Sequence, residues 1–252
     1  MDVTFLGTGT STGVPAIGCS CETCLSTDPR DNRLRVSLLI EHQERKIVID
    51  TSTDFRQQAL RVGLKSLDAV LITHCHADHV FGLDDIRPFN HAQGPIPFFA
   101  NEIAWAGLRR VFSYAFPREP RPGIPLIVPH TIGGPFSLFG LEITPIEVLH
   151  GKLTVLGFRF GNLAYVTDCN IIPELALAQL QGLEVLILDC LRYEPHPTHL
   201  HLEETLRYIA LLKPQRALLT HISHKMHHAR TSAQLPPGVE LAYDGLRVTI
   251  EA

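Results

Sequence analysis

The residues best suited to chemistry lie between Leu71 and His79, in the run Leu-Ile-Thr-His-Cys-His-Ala-Asp-His. Three histidines and an aspartate fall within its last six positions, directly after an apolar segment. Packing does not require such a cluster, whereas imidazole nitrogens and carboxylate oxygens are good ligands for zinc or for a harder divalent ion such as manganese. One tetrahedral site would be filled by three or four of these groups. The cluster therefore predicts a metal centre and indicates more than one ion.

The candidate ligands follow apolar runs that have the composition of buried strands. The run from Asp68 to Thr73 precedes His74, so the cluster is expected where a strand ends. The same arrangement recurs later in the chain, before His150, Asp168 and His221. A hydrolytic site with two metal ions roughly 3.5 to 4 Å apart needs about seven protein ligands. The candidates that make up this number are His74, His76, Asp78, His79, His150, Asp168 and His221.

A second cluster, near the N-terminus, consists of three thiols in Gly18-Cys-Ser-Cys-Glu-Thr-Cys24. Cys19, Cys21 and Cys24 could hold three corners of a tetrahedral zinc, with a fourth ligand from elsewhere in the chain. Without metal these thiols would be prone to oxidation, and lasting disulfides are not expected in a cytosolic type of sequence. We therefore predict a structural zinc site in the loop 18–25. A redox-active pair of thiols is the alternative.

Composition restricts the partners. The chain has 252 residues, 45% of them hydrophobic and 19% charged, which is enough for one domain spanning 1–252. Its net charge is −4 and it contains no basic run, so a nucleic-acid partner is not indicated and a small anionic substrate would depend on positive charge from metal ions. No run of 18 apolar residues and no signal peptide is present. We expect a cytoplasmic protein without a membrane partner. The oligomeric state is open, and a homodimer would be ordinary.

The remaining segments alternate between strand and helix composition. Strands at 35–41 and 46–50 predict a hairpin. A helix is predicted over 53–62, ending at Gly63, and another over 78–90, interrupted by Pro88. The other predicted elements are strands 3–6, 68–73, 96–99, 141–149, 163–168, 183–189 and 216–220, and helices 102–112 and 173–181. This order indicates a layered α/β protein with two packed half-sheets flanked by helices.

Two further groups of residues have expected roles. The proline-rich loop 114–123 carries aromatic and basic side chains, and such loops often close over a site, although a solvated connector has the same composition. Its candidate substrate contacts are Tyr114, Arg118 and Arg121. The other three thiols adjoin candidate ligands on apolar runs, so we expect them in the core as small hydrophobes. They are Cys75, Cys169 and Cys190.

The chain resembles the metallo-β-lactamase superfamily in motifs that extend over nearly its whole length. These motifs are Thr73-His-Cys-His-Ala-Asp-His79, Thr167-Asp168 and Thr220-His-Ile-Ser-His224. The resemblance implies a four-layer αββα sandwich, in which two packed mixed β-sheets are flanked by helices. It also divides the ligands into His74, His76 and His150 for one ion, and Asp78, His79 and His221 for the other, with Asp168 bridging both.

Within the superfamily, the chain is most similar to the phosphoribosyl 1,2-cyclic phosphate phosphodiesterases of the carbon-phosphorus lyase route of phosphonate catabolism. The cysteine motif carries this resemblance together with the three motifs given above. It implies His224 as the fourth ligand of the structural zinc beside Cys19, Cys21 and Cys24. It also implies a histidine general acid, and the match falls on His199. Asp78 is predicted as a second catalytic residue. His196 and His201 lie close to His199 in sequence and are the alternatives to it.

The resemblance implies a hydrolase that cleaves a small phosphodiester, cyclic in that family, by attack of a hydroxide bridging two zinc or manganese ions. Two alternatives within the same fold stay open. One is a tRNA 3′-processing endonuclease, suggested by the run Gly82-Leu-Asp-Asp-Ile-Arg87. The other is a non-catalytic metal-binding or cofactor-assembly protein, similar to the pyrroloquinoline quinone biosynthesis branch. Thiolester and lactam hydrolysis also remain open, because an activated hydroxide attacks carbonyl and phosphoryl centres alike.

Overall fold

Two seven-stranded mixed β-sheets make up the centre of the protein in a computed structural model, which describes residues 1–117, 119 and 121–250. The strands are β1 Asp2–Gly7, β2 Ser37–His42, β3 Arg45–Ile49, β4 Ala69–Leu71, β5 Ile96–Ala100, β6 Ile127–Thr131, β7 Phe136–Leu138, β8 Leu141–His150, β9 Leu153–Phe160, β10 Leu163–Val166, β11 Val185–Asp189, β12 Arg216–Thr220, β13 Val239–Leu241 and β14 Arg247–Thr249. The helices are α1 Phe55–Val62, α2 Ala77–Val80, α3 Arg87–Gln93, α4 Glu102–Val111, α5 Glu174–Gln179, α6 Leu202–Leu212 and α7 His228–Ser232.

The two sheets repeat one topology. The first runs β14-β1-β2-β3-β4-β5-β6 and the second β13-β12-β11-β10-β9-β8-β7. In each sheet one block of strands is antiparallel, from β14 through β1 and β2 to β3 in the first sheet and from β7 to β10 in the second. The other block is parallel, β3 to β6 in the first sheet and β10 to β13 in the second. Parallel strands present their carboxyl ends at a common edge, where sites in layered α/β folds are built. This edge is where the candidate ligands follow β4, β10 and β12.

Apolar side chains form three layers of core. One lies between the sheets and includes Phe5 and Phe158, both fully buried. The second packs helices on the outer face of the first sheet, and the third does the same on the second sheet. The predicted αββα arrangement is confirmed. Among the described residues, no helix is long and apolar enough to cross a membrane.

The short elements α7, β13 and β14 were not predicted, and two longer stretches also differ from their prediction. The stretch predicted as one helix over 78–90 is divided into α2, a 3₁₀ turn at Leu83–Ile86 and α3. Pro88 lies in the first turn of α3, where a missing N–H breaks no helical hydrogen bond. The prediction that it interrupts a helix was therefore wrong. Helix α6 was not predicted, although Thr205, Ile209 and Leu212 face the core at helical spacing.

A buried arginine joins the N-terminal loop to the C-terminal half of the chain. Arg33 is 1% exposed and pairs with Asp31 at 2.8 Å. It also donates to the carbonyl oxygens of Ser223 and Met226, at 2.9 and 2.7 Å. A buried guanidinium is tolerated only when its N–H groups find acceptors. These bonds fix the loop between β1 and β2 against the loop that follows β12.

Gly82, which follows α2, packs closely against the segment after β3. A Cβ atom there would lie 2.2 Å from the Ser52 carbonyl oxygen and 2.6 Å from Phe55 Cβ, with no unusual φ involved. We predict that Gly82→Ala lowers the free energy of unfolding by about 1 to 3 kcal/mol, measured by urea denaturation. Gly133→Ala is the matched control, because its Cβ would meet nothing within 4 Å. Equal stability of the two variants would contradict the prediction and show that the loop shifts to accommodate the methyl group.

Candidate active site

Three residues at the common edge adopt left-handed backbone conformations that non-glycine residues rarely take. They are Asp50, with φ 62°, Asp168, with φ 52°, and His221, with φ 59°, and they follow β3, β10 and β12. Such conformations cost about 1 to 3 kcal/mol each and cluster at functional sites. Here they turn the side chain of each residue toward the edge of the sandwich, so that both sheets contribute to one site.

The structure brings together all seven sequence-predicted metal ligands, in two groups. The first consists of His74, His76 and His150, and the second of Asp78, His79, Asp168 and His221. Within each group, one potential ligand atom from each residue lies within 4.8 Å of those from the others. His76 is exposed, His150 is half-buried, and the other five side chains are buried. This geometry suits a binuclear metal site.

Asp168 lies between the two groups. Its Oδ1 is 4.0 Å from His74 Nε2, whereas its Oδ2 is 3.2 Å from His79 Nε2 and 3.4 Å from His221 Nε2. Asp78 Oδ2 lies 3.5 Å from His79 Nε2, on the side of the second group. Each oxygen of the Asp168 carboxylate thus faces a different group, as a bridging ligand requires.

The nitrogen atoms that face this centre support the presence of a cation. Nε2 of His74, of His79 and of His221 are all buried, and none has a hydrogen-bond partner among the described residues. Buried polar atoms are almost always paired, so three unpaired nitrogens that converge on two carboxylates fit a metal-binding role. Nitrogen and carboxylate donors suit zinc, manganese or iron alike.

The charges at the site match a divalent cation. Burial lowers the pKa of His74 and of His150, so both imidazoles are neutral near pH 7 and can bind a metal ion. Burial acts the same way on His221, but the carboxylates of Asp168, Asp78 and Asp189 together outweigh it and raise the pKa of His221 to about 9. His221 therefore carries a proton near pH 7 when no cation is bound, and metal uptake would release it. Although burial alone would raise the pKa of Asp168, His221 and His79 hold it well below its usual value.

Hydrogen bonds on the outer side of the ligands fix their orientation. His79 Nδ1 is 2.7 Å from Asp50 Oδ2, and His150 Nδ1 donates to the Thr198 carbonyl oxygen at 2.7 Å. Asp50 is fully buried and also accepts from the backbone N–H and hydroxyl of Thr73. A ligand imidazole that donates through Nδ1 presents the Nε2 lone pair to the metal ion. Sequence reasoning missed Asp50, although its position at the end of a predicted strand was a usable signal.

His199 lies in the same ring cluster. Its ring stacks on that of His221, with centroids 4.6 Å apart and planes 12° apart, and it meets the His150 ring edge-on at 4.6 Å. His196 is one layer further out, 5.1 Å from the His199 ring. His201 is the residue before α6, and its Nδ1 faces Glu204 at 3.5 Å. The geometry therefore favours His199 over both alternatives as the group nearest to the metal ligands.

The cysteine cluster closes around a histidine as predicted. His224 Nδ1 lies 3.2, 3.4 and 3.6 Å from the Sγ atoms of Cys19, Cys21 and Cys24. The pKa of Cys21 is lowered to about 6, chiefly by hydrogen bonding from the Cys24 backbone, whereas burial raises that of Cys24 to about 11. A set of three thiolates and one imidazole is a closed tetrahedral site for zinc. It would join the N-terminal loop to the segment after β12.

Two other groups of residues were assigned roles from the sequence, the proline-rich loop 114–123 and the three thiols outside the cysteine cluster. The Tyr114 hydroxyl donates to Asp84 in the turn after α2, at 2.8 Å, and Arg121 is exposed. Arg118 lies outside the described residues. The substrate contacts of this loop stay a prediction. Two of the three remaining thiols, Cys169 and Cys190, are buried in the core as expected, and the third is half-buried.

Comparison with known proteins decides the family. A model described as the beta-lactamase superfamily domain matches residues 45–222. The chain belongs to this superfamily. A solved structure of a diphosphatase from the PhnP family is 43% identical, with a TM-score of 0.93, and covers 99% of this chain and 98% of that one. The zinc-bound PqqB of Methylobacterium extorquens is 22% identical with a TM-score of 0.81, and shows the shared fold alone.

Two curated relatives are longer than the present chain. An octanoyltransferase of Porphyromonas gingivalis is 39% identical over 253 residues, which are 98% of this chain and 51% of that protein. A ribonuclease Z of Clostridioides difficile is 28% identical over 193 residues, which are 68% of this chain and 60% of that protein. The chain thus spans about half to three fifths of the length of these relatives.

Asp50 offers a test of ligand orientation. We predict that Asp50→Asn weakens metal binding by about 10- to 100-fold, because His79 loses the acceptor that fixes its ring. The measurement is a competition titration of the metal-free protein with a chromophoric chelator. Asp68→Asn is the control, since Asp68 pairs with Arg45 at the opposite end of the strands. Unchanged affinity in Asp50→Asn would remove the orienting role.

The cysteine cluster offers a test of the structural ion. Cys21→Ser should contain one zinc ion fewer per chain and melt at a lower temperature, because a structural zinc contributes directly to folding. Elemental analysis and thermal denaturation are the measurements. Ser20→Ala alters an exposed side chain in the same loop and should retain the metal. If Cys21→Ser keeps the full metal content, the cluster is not a zinc site.

Proposed function

We propose that the protein is a metal-dependent hydrolase that cleaves a small phosphodiester. The observation that carries this proposal is the Asp168 carboxylate, whose two oxygens face two groups of potential ligands, with the His199 ring stacked beside them. Two metal ions, when bound there, would activate water and neutralise charge on a phosphoryl group. The remaining roles fall to side chains of the chain itself.

His199 is the proton donor in this proposal. An alkoxide leaves a phosphodiester poorly near neutral pH, so a positioned acid contributes about 10²- to 10⁴-fold. The His199 ring is held between His221 and His150, and only 9% of the residue is exposed. The orientation of the ring relative to the metal ligands is therefore fixed.

Asp78 is proposed as the carboxylate that orients the attacking water. Burial would raise its pKa, but His79 and His221 outweigh this effect and hold the pKa far below its ordinary value. Asp78 therefore stays ionised and can only accept hydrogen bonds. It is also less buried than Asp168, at 9% against 2% exposure, so water can reach it.

The similarity to a diphosphatase bears on the substrate. A phosphodiester and the anhydride of a substituted diphosphate share a phosphorus atom that carries two oxygen substituents and one negative charge. We propose the small diester as the substrate class, as the resemblance to the cyclic phosphate phosphodiesterases implies, and an unsymmetrical diphosphate as the alternative. A role in phosphonate catabolism, and zinc or manganese as the ions, belong to the same proposal.

Ribonuclease Z similarity supports a second candidate, cleavage of precursor tRNA. That similarity covers a smaller share of the chain at lower identity than the diphosphatase similarity. The net charge of −4 also disfavours a broad phosphate-binding surface for folded RNA. The first function is therefore the better supported.

The decisive assay compares leaving groups. Wild type with manganese or zinc should hydrolyse bis(p-nitrophenyl) phosphate and 2′,3′-cyclic nucleotides, and Asp168→Ala should lose both activities. His199→Ala should lose about 10²- to 10⁴-fold on the cyclic nucleotide and far less on the nitrophenyl ester, whose phenolate leaves without a proton. His196→Ala is the control and should resemble wild type.

The outcomes separate the candidates. Full activity of His199→Ala on the cyclic nucleotide would remove the proton-donor assignment. Turnover of a substituted diphosphate without turnover of any diester would favour diphosphate hydrolysis as the function. Turnover of precursor tRNA alone would favour tRNA processing. Turnover of none of these, nor of an octanoyl thioester, would favour a non-catalytic role.

A further inference from the structure

Asp189 ends strand β11, which lies in the second sheet between the strands that precede Asp168 and His221. Strand β11 pairs in parallel with β10 on one side and with β12 on the other. Asp189 pairs with Thr220, the residue before His221. Its carboxylate is fully buried between the ends of these strands. No role was assigned to it by the motifs that identified the metal ligands.

Each oxygen of this carboxylate has two neighbours. Oδ2 accepts from the Leu200 backbone N–H at 3.0 Å and lies 3.4 Å from His199 Nδ1. Oδ1 accepts from the Asp168 backbone N–H at 3.3 Å and lies 3.5 Å from His221 Nδ1. The two backbone bonds fix the carboxylate, and it presents one oxygen to each imidazole. One buried side chain therefore contacts the candidate proton donor, one ligand and the backbone of the bridging ligand.

The two imidazoles depend on this carboxylate. Among the described residues, Nδ1 of His199 and Nδ1 of His221 are buried without a hydrogen bond of standard geometry. A shift of a few tenths of an ångström would bring each into bonding distance of Asp189. Because the rings are stacked with planes 12° apart, both can direct Nδ1 to the carboxylate at the same time. Their Nε2 atoms then face the centre of the site.

We propose that Asp189 is a positioning residue that accepts Nδ1–H from His199 and from His221 simultaneously, one with each carboxylate oxygen. This inference rests on the proposed function only for the role of His199. For His221, the Nδ1–H tautomer leaves the Nε2 lone pair free for a metal ion. For His199, an Nδ1–H bonded to the carboxylate leaves Nε2 as the atom that takes up a second proton, and the resulting imidazolium donates that proton from Nε2 to the leaving oxygen. Proton donation and metal binding therefore depend on the same carboxylate.

The test compares Asp189→Asn with a control variant of Thr205, which contacts the main chain of Asp189 and not its carboxylate. Asparagine keeps the size of the side chain but can offer an N–H where the carboxylate offered an acceptor. The expected result is metal affinity about 10- to 100-fold weaker, together with a selective loss on 2′,3′-cyclic nucleotide relative to bis(p-nitrophenyl) phosphate. Thr205→Val removes a hydrogen bond to the Asp189 main-chain carbonyl and leaves the carboxylate intact. It should change stability alone.

A double variant separates positioning from general loss of structure. In Asp189→Asn/His199→Ala, the leaving-group selectivity should equal that of His199→Ala, because Asp189 acts on the leaving group through His199. Metal affinity should stay at the Asp189→Asn value, because that effect passes through His221. Additive losses in selectivity, or wild-type metal affinity in Asp189→Asn, would overturn the proposal.

A measurement on the unaltered protein covers the case in which Asp189→Asn does not fold. In zinc-loaded protein labelled with ¹⁵N-histidine, NMR shifts report which ring nitrogen carries the proton. The His199 and His221 signals, the former assigned with His199→Ala, should show protonated Nδ1. An Nε2–H tautomer at His199, or an unprotonated Nδ1 at His221, would contradict the proposal. The spectrum requires no turnover, so it stands even if the protein hydrolyses no phosphodiester.

Discussion

The Asp168 carboxylate is buried among imidazoles supplied by both halves of the chain. Oδ1 lies 4.0 Å from His74 Nε2, and Oδ2 lies 3.2 Å from His79 Nε2 and 3.4 Å from His221 Nε2. An ionised carboxylate at 2% exposure is stable only when positive charge or hydrogen-bond donors surround it. Protonated imidazoles compensate it when the site holds no cation, and a divalent ion would do so when bound. Residues at the strand ends of both sheets supply the groups that surround this carboxylate.

The sheets meet the requirement at a cost to the backbone. Asp50, Asp168 and His221 leave their strands with positive φ, which turns their side chains to the common edge. The surrounding packing offsets this strain: each sheet has apolar layers on both faces, and Arg33 joins the N-terminal loop to the segment after β12. The cysteine cluster holds the same loop at a second point, around His224. Strained ligand positions are thus supported by rigid neighbours.

The sequence predicted the ligands well because their signal is local. Motif spacing places His74, His76, Asp78 and His79 after one strand, and the later ligands also end apolar runs. The supporting groups could not be predicted in this way. Whether Asp50 contacts His79 depends on β3 and β4, which are 20 residues apart in sequence and meet only in the folded sheet. Whether Asp189 contacts His199 depends on how the loop between β11 and α6 folds back onto the end of β11. The role of Pro88 was predicted wrongly although the signal is local, since a proline in a helical pattern either begins a helix or interrupts one.

Anomalous diffraction from crystals of the zinc-loaded protein would test the central claim, a binuclear centre bridged by Asp168, most directly. The predicted map has two peaks roughly 3.5 to 4 Å apart, with the Asp168 oxygens between them and three histidine nitrogens around one of them. A third, separate peak should lie within about 2.3 Å of the sulfur atoms of the cysteine cluster. A single peak among the histidines, or a pair whose ligands exclude Asp168, would contradict the account.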